Sequence, residues 1–247
     1  MTAIDPWQPL RQATTARIGL RRTGTALHIQ DVLSFELACA EARDAVAASL
    51  SVADVERALA RLAPVRLHSA ARDREEYLRR PDLGRRLDTF SLASLRRTEP
   101  DLLIVLADGL SARAAERHGP MLVSACLDRL AGWSARVAIV EQGRVAIGDD
   151  IGGALGAAAS VVLLGERPGL SVPESLGAYI TLAPRVGRRD SERNCVSNIH
   201  DRGGLSIAQA ADNICWLLRE ARRLGQTGIA LKDRSQAPSA LAIREDR

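Results

Sequence analysis

Two rhythms of apolar residues divide this chain near Glu99. Before it, Val32, Phe35, Cys39, Ala42 and Val46 recur at three- and four-residue steps, and Val55, Ala58, Leu59 and Leu62 repeat that spacing after Ser51 and Asp54, which offer a cap. Both runs predict helices that bury one face. Beyond Glu99, short continuous apolar runs alternate with amphipathic stretches, the pattern of a sheet whose parallel strands are covered on both sides. Leu102–Leu106, Val137–Val140, Val161–Leu164 and Tyr179–Leu182 predict four strands, and Ile229–Leu231 a further short one. Between them fall a helix with Leu122, Val123, Cys126, Leu127 and Leu130 on one face and a short helix over Asp149–Gly156. A longer helix is opened by Ser206, with Gln209 in the capping-box place, and is ended by Gly225.

The predicted architecture is therefore α/β. A small helical domain over residues 1–98 precedes a Rossmann-like domain over 99–233, built on an open, mainly parallel sheet, and 234–247 reads as a disordered tail. Within the first part, Asp73–Leu87 stands out because Pro81 and Gly84 punctuate a dense set of charges: Arg79, Arg80, Asp82, Arg85 and Arg86. That punctuation reads either as a solvated helix end or as a docking surface. In an open parallel sheet, ligands sit outside the carboxyl ends of the strands. That rule nominates Asp108–Ser111, Gln142–Val145, Glu166–Gly169 and Pro184–His200, all expected at one end of the sheet.

Composition narrows the occupants of that edge. Hydrophobic residues make up 46% of the chain and aromatics 3%, so the core is mostly Ala, Leu and Val. No apolar run approaches the roughly 20 residues of a membrane span. The net charge is +4, and of 34 basic residues only Lys232 is lysine. Acidic residues are interleaved with the arginines throughout, so no single-sign stripe for nucleic acid emerges. Cys39, Cys126, Cys195 and Cys215 show no metal spacing and read as reduced thiols of the cytoplasm. There is neither a G-x-G-x-x-G after the first strand nor a G-x-x-x-x-G-K-[ST] anywhere, which removes the usual nucleotide cradles. Backbone amides, the Glu166 carboxylate, the Cys195 thiol and several arginines remain, a mouth suited to a large amide-rich ligand.

Five segments in order, YLRRPDLGRRL at 77–87, DLLIVLADGLS at 101–111, QGRVAIGDDIGGALGA at 142–157, LLGERPG at 163–169 and RNCVSNI at 193–199, resemble the small subunit of ethanolamine ammonia-lyase. The likeness runs from about Ala16 to Asp233. It implies a role in converting ethanolamine to acetaldehyde and ammonia with adenosylcobalamin, as partner of a large subunit whose barrel binds the substrate. It also implies cofactor contacts at Glu166 in G-E-R-P-G, Cys195 in R-N-C-V-S-N-I and Val145 in Q-G-R-V, and no catalytic residue in this chain. Some relatives enter bacterial microcompartments; the short amino terminus MTAIDPWQPLRQ lacks their long extension, which puts that targeting in doubt.

Two readings of a different class compete. Cys195 or Ser111 could serve a stand-alone hydrolase or transferase, although Asp108-Gly109-Leu110-Ser111 is not G-x-S-x-G. An arginine-rich nucleic-acid module is the other. Asn198-Ile199-His200-Asp201-Arg202-Gly203 approaches D-x-H-x-x-G, by which other cobalamin enzymes place histidine on cobalt, but Asn stands where the carboxylate belongs. His200 is therefore read as a loop or packing residue. His118, before Gly119-Pro120, reads as the end of a helical turn, and His28 and His68 have no partners at metal spacing.

Overall fold

A computed structural model describes residues 6–14 and 16–233. The tail assigned to 234–247 lies outside the described residues. In chain order the elements are α1 (Gln8–Ala13), a hairpin of β1 (Arg22–Thr23) and β2 (Ala26–Leu27), α2 (Ile29–Ala47), α3 (Val52–Ala58), β3 (Val65–His68), α4 (Arg74–Arg79) and α5 (Thr89–Ser94). The second part runs β4 (Leu102–Ala107), α6 (Ala112–Arg129), β5 (Ala135–Glu141), α7 (Ile147–Leu155), β6 (Ala159–Gly165), β7 (Leu176–Leu182), β8 (Asn194–Ile199) and α8 (Ile207–Leu224).

Six strands form one sheet in the order β3-β5-β4-β6-β7-β8. The first four are mutually parallel, and β7 runs antiparallel to both β6 and β8. Every residue of the central strand β4 is buried, and alternate residues feed two separate cores. Leu102, Ile104 and Leu106 meet α3, α6 and α8 on one face; Leu103, Val105 and Ala107 meet Ile147, Ile151 and Leu155 of α7 on the other. This two-sided cover is why the strand reads as an unbroken apolar run. Ser206 and Gln209 form the expected capping box on α8, and Gly225 closes it in the left-handed conformation.

Several expectations are corrected. The stretch before Glu99 is not purely helical, since β3 joins the sheet edge beside β5; its Val-Arg-Leu-His alternation is only two periods long and is hidden between helical runs. Phe35 does not join the buried face of α2. It is 46% exposed, while Ala38 and Ala45 are buried. Ser51 does not cap α3, because its hydroxyl donates to the Asp54 carboxylate at 2.6 Å instead of accepting from a helix amide. Pro120 does not mark a break: α6 begins at Ala112, where Ser111 caps it, and runs through Gly119 and Pro120. Gly119 lies against the Leu106 side chain, which packs directly on the helix backbone where a larger residue would push it away. The expected strand at Ile229–Leu231 is a single tight turn, Gly228–Ala230. The carbonyls of Gly228 and Leu231 accept from the Asn194 side-chain amide, at 3.3 and 2.7 Å, rather than from a neighbouring strand.

The largest correction concerns the loops. Because β7 is antiparallel, the segment after Leu182 opens at the opposite end of the sheet from Glu166. Only part of Pro184–His200 is loop. The strand β8 begins at Asn194 and places Cys195 opposite Tyr179, inside the sheet.

Candidate functional site

The helix α7 covers β4 and β6 on one face but stops short of β7 and β8. Leu164, Tyr179 and Cys195 therefore line an open groove of about 520 Å³. Val145 and Ala146 at the start of α7 form one wall, Tyr77, Arg85 and Arg144 another, and Glu166, Arg167, Asp190 and Arg193 complete the rim. Val145, Glu166 and Cys195 are brought together here although three different segments supply them. His200 is not. It lines a separate cavity with His118 and Asp201, its Nε2 engages Asn198 Oδ1 at 2.8 Å, and its Nδ1 accepts from the Arg202 amide at 3.1 Å.

Glu166 is held by its neighbours. Its Oε2 accepts from the Ser175 hydroxyl at 2.5 Å and from the Asn198 amide at 3.3 Å. The second bond depends on a bulge in β8, where Asn198 takes φ +62°. Gly177 leaves the space the carboxylate occupies: a Cβ there would meet Oε1 at 2.9 Å. One oxygen is thus occupied by this chain, and Oε1 has no donor among the described residues. An ionised carboxylate with a spare oxygen in a groove is a strong acceptor for an amide N–H.

Cys195 is a poor nucleophile as it stands. Although the residue is exposed, the protein packed around its thiol desolvates it and, together with the nearby Glu166 carboxylate, pushes it up, against the pull of the Tyr179 hydroxyl, so it is protonated at neutral pH. The Tyr179 phenol is pushed up to about 12, mainly by burial and then by Cys195 and Glu166. Ser111 is fully buried, caps α6 and donates its hydroxyl to the Pro173 carbonyl at 3.0 Å, which leaves no exposed Oγ for catalysis.

The segment 73–87 is half scaffold. Tyr77 is buried and donates its hydroxyl to the Gly143 carbonyl at 3.0 Å, and Gly84 accepts from the Arg144 amide at 2.8 Å. Its solvent side carries exposed ion pairs such as Arg80–Asp82 and Arg79–Glu75, worth little individually.

Sequence reasoning placed Asp108 in a nominated loop but gave it no role of its own. It is 1% exposed, directly after β4, and ties the loops that follow β4 and β5 together. Its oxygens accept from the amides of Gly109 at 2.9 Å, Gly143 at 3.0 Å and Gln142 at 3.0 Å, and Arg74 lies 3.4 Å away. Asp-Gly directly after an apolar strand was the available signal. Burial pushes this carboxyl up to about 6, against Arg74 and the three amides. A folded-state value above the unfolded one means that the native state holds the proton longer. Its contribution to stability is full below about pH 4 and is lost as pH rises through about 6, roughly 3 kcal/mol for a shift of about two units. Urea midpoints between pH 4 and 7 should show that fall in the native chain and not in Asp108→Asn; equal slopes would contradict it.

The model of the ethanolamine ammonia-lyase light chain matches residues 4–232. Among similar proteins, the ethanolamine ammonia-lyase small subunit of Azotobacter vinelandii is 49% identical, over 94% of this chain and 90% of that protein. That of Ralstonia nicotianae is 47% identical over 98% and 93%, and that of Pseudomonas paraeruginosa 50% identical over 96% and 91%. With almost the full length matched at about half identity, this chain belongs to the ethanolamine ammonia-lyase light-chain, or small-subunit, family.

Proposed function

We propose that this chain is the small subunit of an adenosylcobalamin-dependent ethanolamine ammonia-lyase, a carbon–nitrogen lyase, and that it holds the cobalamin against a large subunit that binds ethanolamine. The observation that carries this reading is the meeting of Val145, Glu166 and Cys195 in one groove. The fit is chemical as well as positional. A corrin ring is fringed with amides, and the groove offers an oriented carboxylate oxygen, a neutral thiol and the backbone at the start of α7. A groove of about 520 Å³ matches a drug-sized molecule and cannot enclose a corrinoid, so another chain must cover the rest.

When bound, adenosylcobalamin supplies the reactive carbon radical by homolysis of its cobalt–carbon bond. The work of this chain is positioning. Glu166 Oε1 would accept an amide N–H from the corrin's side chains, Cys195 and Tyr179 would line the floor of its site, and Val145 would shape the wall through its backbone and apolar side chain. No acid, base or nucleophile is assigned here, and no helix among the described residues is long and apolar enough to cross a membrane. We place the enzyme in the cytoplasm and leave microcompartment entry to a segment other than this groove.

Glu166→Gln keeps the shape but replaces an ionised acceptor with a neutral one and turns a donor toward Ser175 or the ligand. Cobalamin retained by the assembled complex should fall about tenfold in affinity, the worth of one charge-assisted bond, with subunit association unchanged. Equilibrium dialysis followed by visible absorbance reads this directly. Unchanged affinity would reduce Glu166 to an internal partner of Ser175 and Asn198.

A further inference from the structure

Every hydrogen-bonding neighbour that the described residues give the Asp108 carboxylate is a donor. Its Oδ1 accepts from the amides of Gly109 and Gly143, and its Oδ2 accepts from the amide of Gln142 and faces Nη1 of Arg74 at 3.4 Å. A protonated carboxyl would aim its O–H at one of these N–H groups, and an asparagine would do the same with its NH2. The geometry is therefore built for the ionised form. Burial works against that form and pushes the carboxyl up to about 6. Above that pH the chain keeps a buried charge that costs stability, and a cost of this kind is the usual mark of a position held for function.

What the carboxylate holds is the turn after β5. Gln142 takes a left-handed φ of +57°, a strained form for a residue with a side chain, and Asp108 binds the amides of this residue and of Gly143. The Tyr77 hydroxyl donates to the Gly143 carbonyl and the Arg144 amide donates to the Gly84 carbonyl, so both ends of the following peptide are pinned. Val145 and the start of α7 come next, and they form one wall of the groove. Arg74 and Tyr77 of α4 are the charged and titratable groups that face Asp108. The Tyr77 phenol, pushed up to about 12 by burial and then by Asp108, stays neutral where the carboxyl changes its charge.

We propose that Asp108 is a positioning residue for the cofactor groove: its ionised carboxylate holds the Gln142–Gly143 turn so that Val145 and the start of α7 face the ligand. The inference rests on the cobalamin reading above and deepens it. At 1% exposure Asp108 is closed to the groove and acts through the backbone. Stability and cofactor retention then move in opposite directions, because raising the pH through about 6 charges the carboxylate, which lowers the stability of the fold and firms the wall.

Dissociation constants for adenosylcobalamin, measured by equilibrium dialysis of the assembled complex in the dark, are compared with urea midpoints of the cofactor-free protein between about pH 5 and about pH 7.5. Native affinity should rise about tenfold over that range while the midpoint falls, and Asp108→Asn should bind about tenfold more weakly than native at the upper pH, with little change across the range. A merely structural role would move both quantities in the same direction, since a firmer fold would bind better. Native affinity that is flat or that moves with the midpoint overturns the proposal, and so does an Asp108→Asn complex with native affinity at the upper pH or with the native pH slope. Should the variant fail to assemble, the two native slopes decide alone. A native complex that retains no cobalamin at any pH overturns the cofactor reading, and amide exchange then tests the tie itself. In the cofactor-free complex the Gln142 and Gly143 amides should exchange about tenfold faster in Asp108→Asn than in the native protein. Equal rates overturn the positioning role.

Discussion

Arg193→Met is expected to cost about 3–5 kcal/mol of stability, the usual consequence of leaving one member of a buried ion pair without the other. Both side chains are almost inaccessible, at 3% for Arg193 and 4% for Asp149. Arg193 also donates to Thr181 Oγ1 at 2.9 Å and to the Arg188 carbonyl at 3.2 Å, so the guanidinium ties α7, β7 and the 183–193 segment together. Removal strands the Asp149 carboxylate in an apolar setting. The pair itself is less valuable than that penalty suggests, because desolvating both ions consumes most of their attraction. Arg193→Met combined with Asp149→Leu should therefore recover most of the loss. Urea midpoints for the two single variants and the double one check this. A double variant as unstable as the sum of the singles would mean that the two side chains are not coupled and that each is missed for its other contacts. Because Arg193 also lines the groove, the single variant should loosen cofactor binding even where the chain stays folded.

Much of this fold was legible because the strands that are buried on both faces announce themselves. Leu102–Leu106 and Val161–Leu164 lie inside the observed β4 and β6, and the Ser206–Gln209 box and Gly225 mark α8 at both ends. Strands with one open face did not announce themselves. In β8 only Val196 and Ile199 are buried, and Asn194, Cys195, Ser197 and Asn198 alternate irregularly around a bulge, which reads as loop. That same openness makes the groove: a sheet edge left uncovered by α7 is polar in sequence because it faces space. Strand direction was also hidden. Nothing in Leu176–Leu182 distinguishes an antiparallel strand from a parallel one, and the short link after Gly165 was the one clue that no crossover helix intervenes.

The residues of the candidate site were legible for another reason. Glu166, Cys195 and Val145 were named by likeness to a family, and their meeting in one groove is a property of the sheet. Ser175, Gly177 and Asn198, which hold Glu166, carry no sequence signal of their own. A serine beside a strand and a glycine within one are common. Their role follows from register, since Gly177 lies beside the Glu166 side chain, and from the bulge that turns the Asn198 amide toward it.

Gly165→Ala should be among the most damaging single-methyl changes available in this chain, at about 3 kcal/mol or more. Its added Cβ would lie 2.6 Å from the Asp108 carbonyl oxygen and closer still to that of Ser111. Both obstacles are backbone, so no rotamer relieves them. The Gly165 carbonyl meanwhile accepts from the Leu110 amide at 2.8 Å, locking the loop after β4 to the end of β6. Pushing them apart would disturb the amides that hold Asp108 and shift Glu166, the next residue along. Gly153→Ala, twelve positions earlier, is the internal control. It lies in α7 with nothing nearer than the Arg185 Cα at 3.7 Å, so the methyl meets ordinary contact and gains helix propensity, about 0.5–1 kcal/mol of added stability. The two substitutions should move the urea midpoint in opposite directions, and cobalamin retention should fall only for Gly165→Ala. A Gly165→Ala protein with native stability would show that the contact between the β4 and β6 loops is loose, and that Glu166 is placed by Ser175 and Asn198 without it.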